Sequence, residues 1–348
     1  MTLLAICEKL TEVRVLFNNL NPFMLSPGGA QVNMEQTMAE LTKLGVDNAP
    51  LEWWNSRQTG DILHHFGHLP LWLARMARDH GWKVVVTLLL TQQCNRSKGS
   101  LLFRRILIRS ALDGPLPRFL KEELPWYAYR EYDKVVVGLE IERSIVEKSY
   151  GVRKECIVVV PSGTSDIFLK AGPGARVDNH LVSHGRIGPT KRSLELAKLA
   201  RAANVPVLFI GRSQGTDPGY WRQFRELVDD KCVKHLDNVA SEADLISLLQ
   251  RARGYVLMSR FENWCLAAHE AAACGLPVLI PDQPWARERF GDEARYLPAS
   301  NGTGAAAALR KFYEESPRLP PPKVQQYSWA DVARQLKQVY QDLLSTSR

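Results

Sequence analysis

Two successive series of short β-branched runs alternating with longer stretches, in which apolar residues recur at intervals of three and four, constrain this chain more than anything else in its sequence. In the first series, residues 13–18, 61–66, 83–90, 134–138 and 156–161 read as strands, with helical periodicity over 33–44 and 69–80 between them. Strand then helix, repeated, implies a parallel sheet, because parallel neighbours need a crossover long enough to hold a helix. The Gly/Pro-rich stretch Ala171-Gly172-Pro173-Gly174-Ala175 interrupts the pattern. Beyond it a second series has strands at 180–184, 205–211, 233–236, 255–259 and 277–281.

The expected fold class is therefore α/β: two Rossmann-like, doubly wound domains facing a central cleft, where ligands of such folds bind at the carboxyl ends of the strands. The expected domains are 1–165, 166–325 and a C-terminal segment, 326–348. That last segment follows the proline-rich residues 317–322 and is helical over 329–344, long enough to return to the first domain.

Composition removes several classes. With 348 residues and 45% hydrophobic content, the sequence is that of an ordinary globular protein. It has no apolar run of about eighteen residues. The apolar start, Met1 to Cys7, lacks a basic n-region and a cleavage site, so secretion is not expected and a cytoplasmic location is. Cys7, Cys94, Cys156, Cys232, Cys265 and Cys274 form no CxxC pair, which argues against a disulfide framework and a structural metal. The net charge of +8 suggests an anionic partner. No nucleic-acid readout motif accompanies it, and no G-x-G-x-x-G follows a strand, so nucleic acid and nicotinamide dinucleotides are both set aside.

Chemistry concentrates after the second-series strands. The turn Gly185-Arg186-Ile187-Gly188-Pro189-Thr190-Lys191 presents two cations ahead of a helix starting at Ser193, an arrangement suited to phosphate. Further on, the strand at 255–259 leads to Glu262, then to a helix carrying Glu270 and stopped by Gly275. Amides opening that helix can hold a phosphate, and a carboxylate there can accept hydrogen bonds from sugar hydroxyls.

These residues, as F-E-N-W-C-L-A-A-H-E followed by A-A-A-C-G-L-P-V-L-I-P-D, resemble the E-x7-E signature of family 4-type, retaining GT-B glycosyltransferases. Further stretches resemble that family in order: H-G-R-I-G-P-T-K its donor-phosphate loop, V-L-F-I-G-R-S the next strand and glycine loop, S-E-A-D-L-I-S-L-L-Q-R-A-R-G the helix before the signature, V-V-V-P-S-G-T the interdomain segment and Y-S-W-A-D-V-A-R-Q-L the tail. The likeness is close over 156–345 and looser before. It implies a nucleotide-diphosphate sugar as co-substrate, with no cofactor and no metal, and transfer with retention to a saccharide or lipid-linked saccharide, in surface polysaccharide or glycoconjugate synthesis.

By the same resemblance, Glu262, Arg186 and Lys191 are the catalytic group. Gly28, Gly29, Gly185, Gly211, Asn263, Trp264, Cys265, Leu266 and Glu270 complete the donor site, with Glu270 on the ribose hydroxyls and Glu262 beside the transferred sugar. Gly28 and Gly29 stand for the family's G-G-A loop, where glycines permit close backbone approach and positive φ.

One departure matters. Many relatives carry a histidine after the strand equivalent to 83–90, whereas this chain has Thr91-Gln92-Gln93 there. Gln92 or Thr91, or the histidines His64, His65 and His68 after the preceding strand, are the candidates for acceptor-side contacts. The departure keeps open an alternative, a glycosyltransferase-like protein that binds without turnover. Finally, 96–118 combines Arg96, Lys98, Arg104, Arg105, Arg109 and Arg118 with Leu101, Leu102, Phe103, Ile106, Leu107 and Ile108, opposed by one acid, Asp113, and reads either as a basic amphipathic helix lying on an anionic membrane or as a packed helix with solvated arginines.

Overall fold

The structure, a computed structural model, describes residues 13–21, 28–215, 217–262, 264–298 and 303–345. The chain divides into two compact units, Met1–Gly163 with Tyr327–Arg348, and Thr164–Gln326. In the first unit, β1 (Arg14–Asn18), β2 (Asp47–Pro50), β3 (Ile62–Phe66), β4 (Lys83–Thr87), β5 (Lys134–Val137) and β6 (Ile157–Val159) form one six-stranded sheet in the order β2-β1-β3-β4-β5-β6, with every pairing parallel. Its inner strands are buried along nearly their whole length, which is why they read as continuous apolar runs rather than as alternation. Leu16, Leu63, Val84, Val86 and Val135 meet Leu73, Ala77, Ile108, Val146 and Tyr150 of the helices in one core. The C-terminal helix, Trp329–Ser345, packs on the helix Gly29–Lys43 of this unit, burying Trp329, Val332, Leu336 and Tyr340.

The second unit holds β7 (Leu181–His184), β8 (Val207–Ile210), β9 (Val233–Leu236), β10 (Gly254–Val256), β11 (Val278–Pro281) and β12 (Arg295–Leu297) in the order β12-β11-β10-β7-β8-β9, again all parallel. Counted within the unit this is the doubly wound order 3-2-1-4-5-6 read from the other edge. Its direction of winding reverses between β7 and β10, where such sheets open a crevice at their carboxyl ends. The helix after β10, Leu266–Ala273, ends at Gly275 with φ +80°, a left-handed position that favours glycine, and its end abuts Pro173.

Two strands, β2 and β12, were not expected from the sequence. Asp47-Asn48-Ala49-Pro50 lacks a β-branched run because it is an edge strand, where proline is tolerated, and β12 is a three-residue edge strand. The amphipathic stretch 96–118 is also not one helix. Ser97 caps a helix over Lys98–Asp113, Gly114, Pro115 and Pro117 break it, and a short helix follows at Arg118–Glu122. None of the described helices is long and apolar enough to cross a membrane.

Candidate functional site

The loops leaving β7 and β10 flank the switch point of the second sheet, and they are tied together. The backbone N–H of Arg260 donates to the carbonyl of Thr190 at 2.8 Å. Behind β7, Gly185 has φ +127°, and Ile187 pairs with the segment after β8 through N–H···O contacts of 2.8 Å to Arg212 and from Gln214. The phosphate-loop candidate is thus braced on both sides before the helix Ser193–Ala202 begins.

Lys191 and Glu262, one from each loop, form an ion pair between Nζ and Oε1, with side chains 28% and 12% exposed. Burial opposes the ammonium charge, but the adjacent Glu262 carboxylate outweighs it and holds the Lys191 pKa above its ordinary value. Arg186 is half-buried and makes no hydrogen bond or ion pair among the described residues, and its charge is felt at Lys191. The group therefore has one cation neutralised by a carboxylate and one left over for an anion.

Glu270 sits in the middle of the helix Leu266–Ala273, and its Oε2 lies 2.8 Å from His184 Nε2 at the end of β7. Between the two glutamates is Cys265, in the left-handed conformation at the helix N-cap. Its thiol is pushed well above the usual range by burial, with Glu262 and Glu270 adding to the effect and Lys191 opposing it, so all three groups surround it. Trp264 and Cys265 are both buried, and the indole stacks on His269 at 4.9 Å beneath the Arg289 guanidinium at 3.9 Å. Neither side chain is open to a ligand, whereas the start of the helix at Leu266 is half-buried. Gly211, after β8, has its backbone against that of Gly185. Asn263 lies outside the described residues.

The structure thus brings Gly185, Arg186, Lys191, Gly211, Glu262, Trp264, Cys265, Leu266 and Glu270 into one part of the second unit. Gly28 and Gly29 belong to the first unit, where they open the helix Gly29–Lys43. The positive φ expected of them is not used at Gly28, whose φ of 165° is extended backbone that any residue adopts.

The histidines need correction. His64 is fully buried in β3, its Nδ1 2.6 Å from Tyr340 Oη and its Nε2 2.7 Å from Thr87 Oγ1, and burial lowers its pKa to about 3. With both nitrogens engaged inside the core, it has no surface with which to meet an acceptor. His65 is equally buried, with Nδ1 3.1 Å from Asn18 Nδ2 and a pKa lowered by burial to about 4. Of the three, His68 is the one at a surface groove, about 500 Å³ in volume, which it lines with Trp72, Arg75, Glu122 and Glu123. Gln92 is exposed on the short helix Thr91–Cys94. His184 was not anticipated; its signal was an imidazole directly ahead of the Gly185-Arg186 pair.

Residues 173–335 match the family model of glycosyl transferases group 1. That stretch includes every member of the cluster around Lys191 and Glu270. None of the curated proteins is significantly similar in sequence. Among solved structures, sucrose-phosphate synthase from Thermosynechococcus elongatus is similar with a TM-score of 0.64 at 16% identity, covering 96% of this chain and 99% of its own. The lipopolysaccharide outer core galactosyltransferase WaaB in its apo form gives 0.59 at 12% identity, with 97% and 100% covered. The pneumococcal O-GlcNAc transferase GtfA, in complex with UDP and GlcNAc, gives 0.59 at 14% identity, with 88% of this chain and 59% of its own covered. The shared feature is the fold, the two-domain α/β architecture of GT-B glycosyltransferases.

Proposed function

We propose that this chain is a retaining, metal-independent glycosyltransferase of the family 4 type, moving a sugar from a nucleotide-diphosphate sugar to a saccharide or lipid-linked saccharide acceptor. The observation that carries the reading is the placement of Arg186, Lys191 and Glu262 on two tied loops at the switch point of the second sheet. A diphosphate seated there meets Arg186 and the remaining hydrogens of the Lys191 ammonium, and the amides opening the helix at Leu266 add their dipole. As the bond from the sugar's anomeric carbon to the phosphate oxygen breaks, its electron pair goes to that oxygen, and these fixed charges stabilise it. The acceptor hydroxyl adds to the same face of the sugar and its proton passes to the leaving phosphate. Glu262 lies beside the sugar, and Glu270 takes the ribose hydroxyls. That GtfA is described with UDP and GlcNAc supports a donor of this class.

A membrane surface suits a lipid-linked acceptor, and we place the reaction on the inner face of the cell membrane, in surface polysaccharide or glycoconjugate synthesis. Supporting this, the first unit exposes Leu102, Phe103, Ile106 and Leu107 on the helix Lys98–Asp113 and Phe119 and Leu120 on the next, Phe103 and Phe119 at 66% and 67%, with Lys98, Arg105 and Arg118 exposed among them.

The test is slow hydrolysis, water serving as acceptor. Incubating the protein with a panel of nucleotide-diphosphate sugars should release the nucleoside diphosphate from one of them, with the freed sugar first appearing in the donor's own anomeric form by NMR. Release with inversion would contradict the retaining assignment, and binding without any release would leave a glycosyltransferase-like binding protein.

A further inference from the structure

His184 ends β7, a strand buried along its whole length, and it is itself 8% exposed. An imidazole in such a place has two nitrogens to satisfy. Nε2 meets Glu270 Oε2 at 2.8 Å, whereas Nδ1 is buried and has no hydrogen-bond partner among the described residues. A hydrogen on Nδ1 would be buried unsatisfied, so the ring's hydrogen belongs on Nε2, donated to the carboxylate. The ring packs edge-on against Tyr255, with centroids 5.3 Å apart, which fixes the direction of that donor. The Glu270 side chain is 22% exposed, so the carboxylate is held from behind and open in front.

Cations of the same cluster stand in the loop that follows His184. Arg186 follows His184 by two residues, and Lys191 and Glu270 both act on Cys265. We infer that His184 is a positioning residue: its fixed N–H keeps Glu270 from turning to these cations and presents the carboxylate to the vicinal hydroxyls of a ribose. The site is thereby made selective for ribonucleoside over deoxyribonucleoside diphosphates, because a carboxylate held in place and left without its hydroxyl partner is penalised. The inference rests on the proposed role of Glu270 at the ribose.

The experiment compares dissociation constants for UDP, GDP and ADP with those of their 2′-deoxy counterparts, in the wild-type chain and in His184→Phe and His184→Gln. The wild type should favour the ribonucleotide of its preferred base at least tenfold. His184→Phe should bring the ratio close to one, and His184→Gln, whose amide restores an N–H toward Glu270, should recover most of it. A melting curve without ligand checks each variant's fold. Should His184→Phe not fold, the wild type still decides: its His184 ring should show the Nε2-protonated tautomer by NMR, with a resonance moved by the ribonucleotide and less by the deoxy form. If the wild type binds none of the nucleotides, the donor-site reading fails and this inference with it. If it binds them without discrimination, or if His184→Phe keeps the full ratio, the donor site stands and the role of His184 is overturned.

Discussion

The ammonium of Lys191 rests on the carboxylate of Glu262, each from a different loop at the switch point of the second sheet. Before any ligand arrives, half of the site's positive charge is thus balanced from within. On the proposed function, an incoming diphosphate would share Lys191 with Glu262 and have Arg186 to itself.

Lys191→Ala should weaken nucleoside diphosphate binding roughly ten- to a hundredfold, the equivalent of a charge-assisted hydrogen bond of about 1.5–3 kcal/mol. Glu262→Gln should leave that affinity equal or higher, because it removes a negative charge near the phosphates, while lowering sugar release at least about tenfold. Calorimetric titration and the hydrolysis assay separate the two effects. Parallel loss of affinity in both variants would contradict a division of labour between cation and carboxylate.

Gly211 tests the bracing of the loop after β7. Its φ is +147°, and a Cβ built there would lie 2.0 Å from the Gly185 carbonyl oxygen. Gly211→Ala should therefore destabilise the second unit by about 1–3 kcal/mol or more and displace Gly185. A lower urea midpoint with weakened nucleotide binding is expected, and an unchanged midpoint would show that the loops can part without cost.

His269 lies fully buried between Trp264 and Phe290, with neither ring nitrogen hydrogen-bonded among the described residues, and burial with help from Arg289 lowers its pKa to about 3. Below the unfolded value near 6.5, falling pH protonates the unfolded chain but not the folded one, so stability drains away until about pH 3. His269→Phe removes this drain. Its stability relative to wild type should improve by about 2 kcal/mol between pH 7.5 and 5, at ~1.4 kcal/mol per unit of separation below 6.5. A pH-independent difference between the two would contradict the assignment.

The exposed helices of the first unit make a prediction of another kind. Phe103→Ser with Phe119→Ser should leave the melting temperature nearly unchanged, because both rings face solvent. The pair should lower binding to phosphatidylcholine vesicles containing anionic phosphatidylglycerol at least tenfold, since each buried Phe is worth roughly 1.5–3 kcal/mol. Sedimentation with vesicles measures this, and equal binding would move the contact elsewhere.

The residues that were legible in sequence are those whose placement is set by chain order. Arg186, Lys191, Glu262 and Glu270 follow directly from strands β7 and β10, and a doubly wound sheet gathers such loops at one place. What escaped depends on distant partners. His64 and His65 looked like a strand-end cluster, but Tyr340, 276 positions away from His64, and Asn18 turn them into core groups. His184 gains its meaning only from Glu270, 86 positions on. Edge strands β2 and β12 carry little apolar signal because edges bury little, and two prolines divide an amphipathic stretch whose periodicity alone runs through them.

The most direct test of the donor site is a thermal-shift titration of the intact chain with UDP, GDP, ADP and CMP, with and without magnesium, repeated on Arg186→Ala and Glu270→Ala. A ligand at a hundred times its dissociation constant stabilises the native state by about 2.7 kcal/mol, enough to move a melting temperature by a few degrees. The account predicts that one nucleoside diphosphate raises the melting temperature, independently of magnesium, and that both substitutions abolish the rise. No shift with any of the four at millimolar concentration, or a shift that survives both substitutions, would contradict it.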